Sequence, residues 1–379
     1  MAIHEVFKRL FPESTMQADF SNQLLWFRDV RGTFSSALAK ASTETMMSCK
    51  YGNTIRFSKL CRGFVKRRKI CYLEAKRKSG LLSQQFETAI QKMRELDTTE
   101  PNNPLGFTQQ AKLHCTFCNG AYSHNNKEAA SLQVHFSWFF LPWHRWYIYF
   151  FERILTKLLD DGYPVRLPYW NFDSLDGMGF PGIYAKTDSP LYDELRNKDH
   201  AREDNKLDLF YPDDTNWPAN TKEEQELMNR NLCYFKKIFD ETKDDPLQFI
   251  GCPIRSGEQF NFDYAGYLEN LHNVVHVWTG TTDSENNYNF DLGNFIRSAR
   301  DPIFYAHHSN MDRVWEIYRA QNKGSTNLNH LETNETDWLD SSFVFYDENK
   351  ELVKVMPLPD FSSNLLASPY RFHSHTCNR

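Results

Sequence analysis

The 379-residue chain has no long uninterrupted apolar run, no strong charge imbalance, no dense cysteine framework and no internal repeat. Each of these lacks removes a class of protein. The most apolar stretch, FSWFFLPWHRWYIYFFERIL (136–155), carries Pro142, His144, Arg145, Glu152 and Arg153. A lipid-facing helix would hold those charges only at a cost of several kcal/mol, so no membrane span is expected and the segment reads as buried in protein. A net charge of −5 gives no overall electrostatic case for nucleic acid or a membrane surface as partner. Eight cysteines, at 49, 61, 71, 115, 118, 233, 252 and 377, are too few and too scattered for a disulfide scaffold and leave the redox compartment open. No charged head followed by an apolar core and a small-residue cleavage site is visible at the start, so no secretory signal is expected.

What the chain does have is aromatic residues, 30 Phe, 18 Tyr and 9 Trp, in three zones that differ in pattern. Residues 1–72 mix polar, basic and isolated aromatic stretches without a sustained period, and read as a poorly ordered N-terminal segment. Its basic cluster (Arg56, Lys59, Arg62, Lys66, Arg67, Arg68, Lys69) could grip RNA but reads as a solvated arm. From residue 73 helical patterns alternate with long polar loops. SGLLSQQFETAIQKMREL (79–96) sets Leu82, Phe86, Ile90, Met93 and Leu96 on one stripe, with Ser79 available as a cap, and predicts a core helix. The Pro-, Gly-, Asp- and Asn-rich stretch 156–260 predicts loops with short helices. The last thirty or so residues lose all pattern.

Two histidine clusters carry the chemistry. Leu271-His272-Asn273-Val274-Val275-His276 places two imidazoles at i and i+4, on one helix face, where both can reach one metal ion. A third candidate follows about thirty residues later in DPIFYAHHSNMDRVWEIY (301–318), where His307 and His308 stand side by side and spacing alone does not choose between them. Three neutral imidazoles suit copper, zinc, iron or nickel. Upstream, His114, His135 and His144 repeat the arrangement across two elements, with Pro142 expected to kink or break any helix joining the last two. Singly, each could be a core histidine satisfied by a carbonyl. Together, two sets of three in aromatic shells point to adjacent three-coordinate metal sites with open positions facing each other.

The segments HCTFCNGAYS, LQVHFSWFFLPWHRWYIYFFERIL, HNVVHVWTG and DPIFYAHHSNMDRVW resemble the copper-binding segments of plant polyphenol oxidases, the catechol oxidase and tyrosinase family. The resemblance implies a mainly α fold: a helical bundle holding a dicopper centre, with long loops and a few short strands, over residues 73–335. It implies His114, His135 and His144 as ligands of one copper and His272, His276 and His308 as ligands of the other. Helix geometry agrees on the last choice. His308 shares a face with Phe304, Asp312 and Trp315, so Asp312 is expected to orient its imidazole, whereas His307 points beside Ile303, Met311 and Val314 as a structural or site-lining residue.

Further roles follow from the resemblance. Cys118 would bond through sulfur to His135. The residue matching Cys115 usually pairs with an N-terminal cysteine, for which only Cys49, Cys61 or Cys71 could substitute here. CxxC with HxxxH also imitates a zinc-finger set, but at about 150 residues apart the pairs are far from finger spacing. Phe295 corresponds to a gate phenylalanine, expected above the second copper, with packing as its plain alternative. Glu269 resembles an acid that orients a water near the second copper, although it stands three residues before His272 where the family has four; the alternative is a surface carboxylate. Asn273 would partner that water, an arrangement associated with monophenols.

The implied activity is oxidation of o-diphenols to o-quinones with reduction of O2 to water, with hydroxylation of monophenols as a further expectation, and the implied partners are small phenols and O2. Kinship implies a plastid location, the thylakoid lumen, although no twin-arginine transit signal is recognisable. Residues 336–355 resemble the start of the domain that follows the catalytic one, so 336–379 reads as a truncated start of it with a divergent tail. An inactive paralogue and a dioxygen-binding protein without turnover are the rival readings, separable by copper content and catechol turnover.

Overall fold

The apolar stripe read at 79–96 forms helix α1 over residues 83–99, in a computed structural model that describes residues 83–118, 134–160, 165–211, 221–254, 262–282, 289–321 and 341–355. Phe86, Ala89, Ile90 and Met93, three or four residues apart, are fully buried on it, whereas Leu96 is half-buried. Ser79 and Leu82 lie outside the described residues, as do the N-terminal zone and the tail beyond 355.

Helices α2 (Phe107–Cys118), α3 (Phe140–Leu159), α6 (Tyr267–Thr279) and α7 (Ile303–Gln321) carry the histidines. The expected break between His135 and His144 is present. Helix α3 begins only at Phe140, so His135 lies in the turn before it, and Pro142 sits in the first helical turn, where its missing N–H has no partner to lose. Helix α3 buries residues on nearly every side, Trp143, Trp146, Phe150, Phe151 and Leu155 among them, because α7 covers one flank and a β-hairpin another. Each Phe so buried contributes about 1.5–3 kcal/mol. Tyr147 ties α3 to α2 by donating to the Gln110 carbonyl at 2.6 Å, and Phe151 stacks on Tyr305 of α7.

The expectation of only short helices between 156 and 260 needs correction, because α4 (Thr221–Thr242) runs for 22 residues. Leu227, Asn231, Leu232, Phe235, Ile238 and Phe239 recur along it at helical spacing and are buried, a period masked by the polar composition around it. A short helix α5 (Pro246–Ile250) follows, with Pro246 in its first turn and the Asp245 carboxylate accepting from Leu247 N–H. It packs on both α4 and α6.

Strands are few and short among the described residues. Strands β1 (Thr281–Thr282) and β2 (Asn289–Phe290) pair antiparallel beside α6. Strands β3 (Phe343–Tyr346) and β4 (Leu352–Val355) form an antiparallel hairpin in which Phe343 pairs with Val355 and Tyr346 with Leu352. Alternation on β3 drives Phe343 and Phe345 inward, onto Phe117, Phe139, Trp143 and Phe150. The mainly α bundle with a few short strands is the expected architecture. Among the described residues no helix is long and apolar enough to cross a membrane.

Candidate metal centre

The second triad is the tighter of the two. The Nε2 atoms of His272, His276 and His308 lie 2.7–3.2 Å from one another, and all three residues are buried. Their opposite nitrogens explain the convergence. His276 Nδ1 donates to the Leu292 carbonyl at 2.8 Å, and His272 Nδ1 donates to Asn273 Oδ1 at 3.0 Å. Each proton is thus held on the far side of the ring, and a bare Nε2 lone pair points inward. Two such nitrogens cannot hydrogen-bond each other, so a cation is what their approach calls for. Gly280, after the end of α6, makes the Leu292 contact feasible: a Cβ there would fall 2.2 Å from Gly293 N.

His307 is held differently. Its Nε2 donates to the His272 carbonyl at 3.1 Å and its ring stacks on His272 at 4.8 Å and 9°. It is near enough to count with the other three as a group of four that could hold a metal. With Nε2 occupied by a carbonyl, however, its bare nitrogen is Nδ1, on the other edge, so geometry favours His308 as the third donor and His307 as its support. Asp312 does not orient His308 as expected. Its carboxylate is taken by Arg145, the neighbour of His144, and His308 Nδ1 has no hydrogen-bond partner among the described residues. Phe304, one turn earlier, stacks on the His308 ring at 3.8 Å and holds it instead.

His114 (α2), His135 (the turn before α3) and His144 (α3) form the first triad, also buried and gathered closely enough to share one ion. His144 Nδ1 donates to the Phe140 carbonyl at 2.7 Å, its i−4 residue, which leaves Nε2 buried, bare and without a partner among the described residues. Cys118, one turn after His114, sets its sulfur 3.5 Å from His114 Nδ1 and 3.7 Å from His135 Nδ1. Cys115 is buried as well, and Cys49, Cys61 and Cys71, its candidate partners, lie outside the described residues.

The two triads abut. The rings of His144 and His308 lie 4.3 Å apart at 21°. Phe140 touches His272 and His144, both at 4.7 Å, and Phe304 touches His114 and His276 at 5.1 and 5.3 Å, so each ring contacts both triads. Sequence reading did not single out Phe140, and nothing but its place one turn before His144 could have flagged it. In this dry aromatic shell, burial pushes His144 down to about 3 and His276 to about 4, and neighbouring imidazoles reinforce burial in holding His114, His135, His272 and His308 well below the usual range. All six are neutral at physiological pH, the form that donates to a metal.

Around this centre the remaining candidates fall as follows. Glu269, on the first turn of α6, is buried and not a surface carboxylate; its Oε1 accepts from Phe136 N–H at 2.7 Å. Asn273 turns its carbonyl oxygen to His272. Phe295 is half-buried with its ring 4.6 Å from His135 and 5.4 Å from Phe136, which puts it on the first triad's side and corrects the expectation of a position above the second. The loop carrying it crosses from α6 to the turn around His135. Phe136 and Val277, with Tyr211, Ala265 and Phe295, form a small apolar cluster separate from the main core.

Two adjacent, buried, three-imidazole sites on a helical bundle define a binuclear metal protein. Comparison with known proteins agrees. Residues 104–321 match the family model described as the common central domain of tyrosinase, and 332–357 that of the polyphenol oxidase middle domain. Chloroplastic polyphenol oxidase of Vitis vinifera is 44% identical over 277 residues, 73% of this chain and 43% of that protein. Aureusidin synthase of Antirrhinum majus is 41% identical over 271 residues, 71% of this chain and 46% of that protein. The crystal structure of Grenache (Vitis vinifera) polyphenol oxidase matches with a TM-score of 0.63 at 42% identity, over 73% of this chain and 77% of that one.

The chain belongs to the tyrosinase and polyphenol oxidase family, whose cofactor is a pair of copper ions. It spans less than half the length of these curated relatives. The donor set fits copper: neutral buried nitrogens and an orphaned His144 Nε2.

Proposed function

We propose that the chain catalyses copper-dependent oxidation of o-diphenols to o-quinones with reduction of O2 to water. The observation that carries this reading is the contact between His144 and His308, because it brings the two triads near enough for one small molecule to meet both. His114, His135 and His144 would hold one copper; His272, His276 and His308 the other. When bound, the ions supply the two-electron exchange between a catechol and O2. The chain's own residues do the rest. Asn273, Leu292 and Phe140 fix ring protons away from the metals, and Phe140 and Phe304 exclude water between the triads. Phe136, Val277 and Phe295 offer an apolar mouth to a planar phenolic ring.

Cys118 and His135 are proposed to join in a thioether, which their contact supports. Its formation removes one hydrogen from sulfur and one from a ring carbon, a two-electron oxidation that O2 balances. Asn273, with its Nδ2 buried and unpartnered among the described residues, is the residue proposed to assist monophenol hydroxylation. A plastid location is proposed from the chloroplastic polyphenol oxidases among the relatives.

Assaying copper-loaded protein on catechol and tyrosine in parallel tests the function. Quinone formation with O2 uptake supports it. Two coppers with reversible O2 binding and no turnover would indicate a carrier, and failure to bind copper an inactive paralogue.

A further inference from the structure

His135 is the one candidate ligand that no helix carries. It ends at the turn 135–138, and that turn is held in an unusual way. Phe136 adopts φ 56°, a left-handed conformation that a bulky aromatic residue enters only when its surroundings over-determine it. Two neighbours do so. On one side Trp138 N–H donates to the Cys252 carbonyl at 3.0 Å, and Gly251 lies so close that a Cβ on it would fall 2.7 Å from the Ser137 carbonyl carbon. On the other, the carboxylate of Glu269 accepts from the backbone N–H of Phe136 at 2.7 Å. The left-handed residue gives its own amide to the acid, so the buried acid and the strained turn explain each other. Glu269 is 1% exposed, and its Oε2 has no partner among the described residues. The acid stands on α6, three residues before His272, so this contact joins the helix of the second triad to Phe136, 133 residues away in sequence and next to His135 of the first triad.

We propose that Glu269 is a positioning residue. Fixed on α6, its carboxylate holds the left-handed turn at Phe136, and through that turn aims the His135 imidazole into the first triad and the Phe136 ring into the mouth beside Phe295. The proposal deepens the copper oxidase reading and rests on it. It differs from assigning Glu269 as a base: an oxygen engaged by a buried backbone amide anchors backbone, and its task needs an acceptor, not a charge.

Glu269→Gln and Glu269→Leu test it, with copper content at limiting metal, melting temperature, and kcat and KM on catechol as readouts. Glutamine keeps a carbonyl oxygen for the Phe136 amide, so the variant should bind two coppers and hold kcat close to that of the parent chain. Leucine leaves the buried Phe136 amide unanswered, so first-site copper affinity should fall about 10–100-fold, giving one copper per chain at limiting metal, and KM should rise as the mouth loosens. A Gln variant with two coppers but kcat down about 100-fold or more would assign a base and overturn the proposal. So would a Leu variant that binds both coppers as tightly as the parent. If the Leu variant does not fold, the Gln variant decides alone. If the parent chain binds two coppers but leaves catechol untouched, the oxidase reading fails, while the copper affinities of the variants still decide the role of Glu269.

Discussion

His144 and His308 lie nearly face to face, 4.3 Å between ring centres, though they stand on helices α3 and α7 and belong to different triads. Their neighbours reinforce the contact: Arg145 pairs with Asp312 and, at 2.6 Å, with Glu316, while its guanidinium lies 4.0 Å over Trp315. The spacing of the two sites is therefore a property of the α3–α7 interface.

The two adjacent histidines of α7 should behave differently. His308→Ala removes a donor, and copper content should fall from two per chain to one. His307→Ala should keep both coppers but lose a buried hydrogen bond and a stacking partner, roughly 1–3 kcal/mol of stability. Metal analysis and denaturant unfolding read the two effects.

Asn273 fixes the tautomer of His272. Asn273→Leu, similar in size but without the acceptor, should weaken copper binding at the second site about 10–100-fold, as measured by competition with a chelator. Asn273→Ala should reduce tyrosine hydroxylation more than catechol oxidation.

Away from the metals, Arg196 and Asp301 form a bidentate pair at 2.6 and 2.7 Å, both buried, at the entrance to α7. Asp301→Ala strands a buried guanidinium and should cost about 3–5 kcal/mol in urea unfolding.

Asp291 gives a pH dependence with a definite sign. Burial, then the charge of Asp301, raises its carboxyl from 3.8 to about 6. The folded state thus holds the proton more tightly than the unfolded chain. Its contribution to stability is complete below pH 3.8, declines as pH rises, and is lost above about 6. Asp291→Asn should flatten this slope, so that its melting temperature gains on the parent's as pH rises from 4 to 7.

The histidine pairs were legible because their partners are local. His272 and His276 share a helix face by spacing alone, and Pro142 marks where α3 begins. What sequence misassigned depends on distant chain. Asp312 stands one turn from His308, the spacing of an orienting acid, yet Arg145, 167 residues away, takes its carboxylate. Phe295 meets His135 because a loop crosses from one triad to the other. The grip of Glu269 on Phe136 needs a left-handed residue that nothing in LQVHFSW announces. Helix α4 was hidden by polar composition, although its apolar period was present.

The central claim is two three-nitrogen copper sites side by side. X-ray absorption at the copper edge, on the copper-loaded chain, tests it most directly. The predicted result is two coppers per chain, each with about three imidazole nitrogens and a second copper within about 4 Å. A single copper bound by four imidazoles, His307 among them, would contradict it.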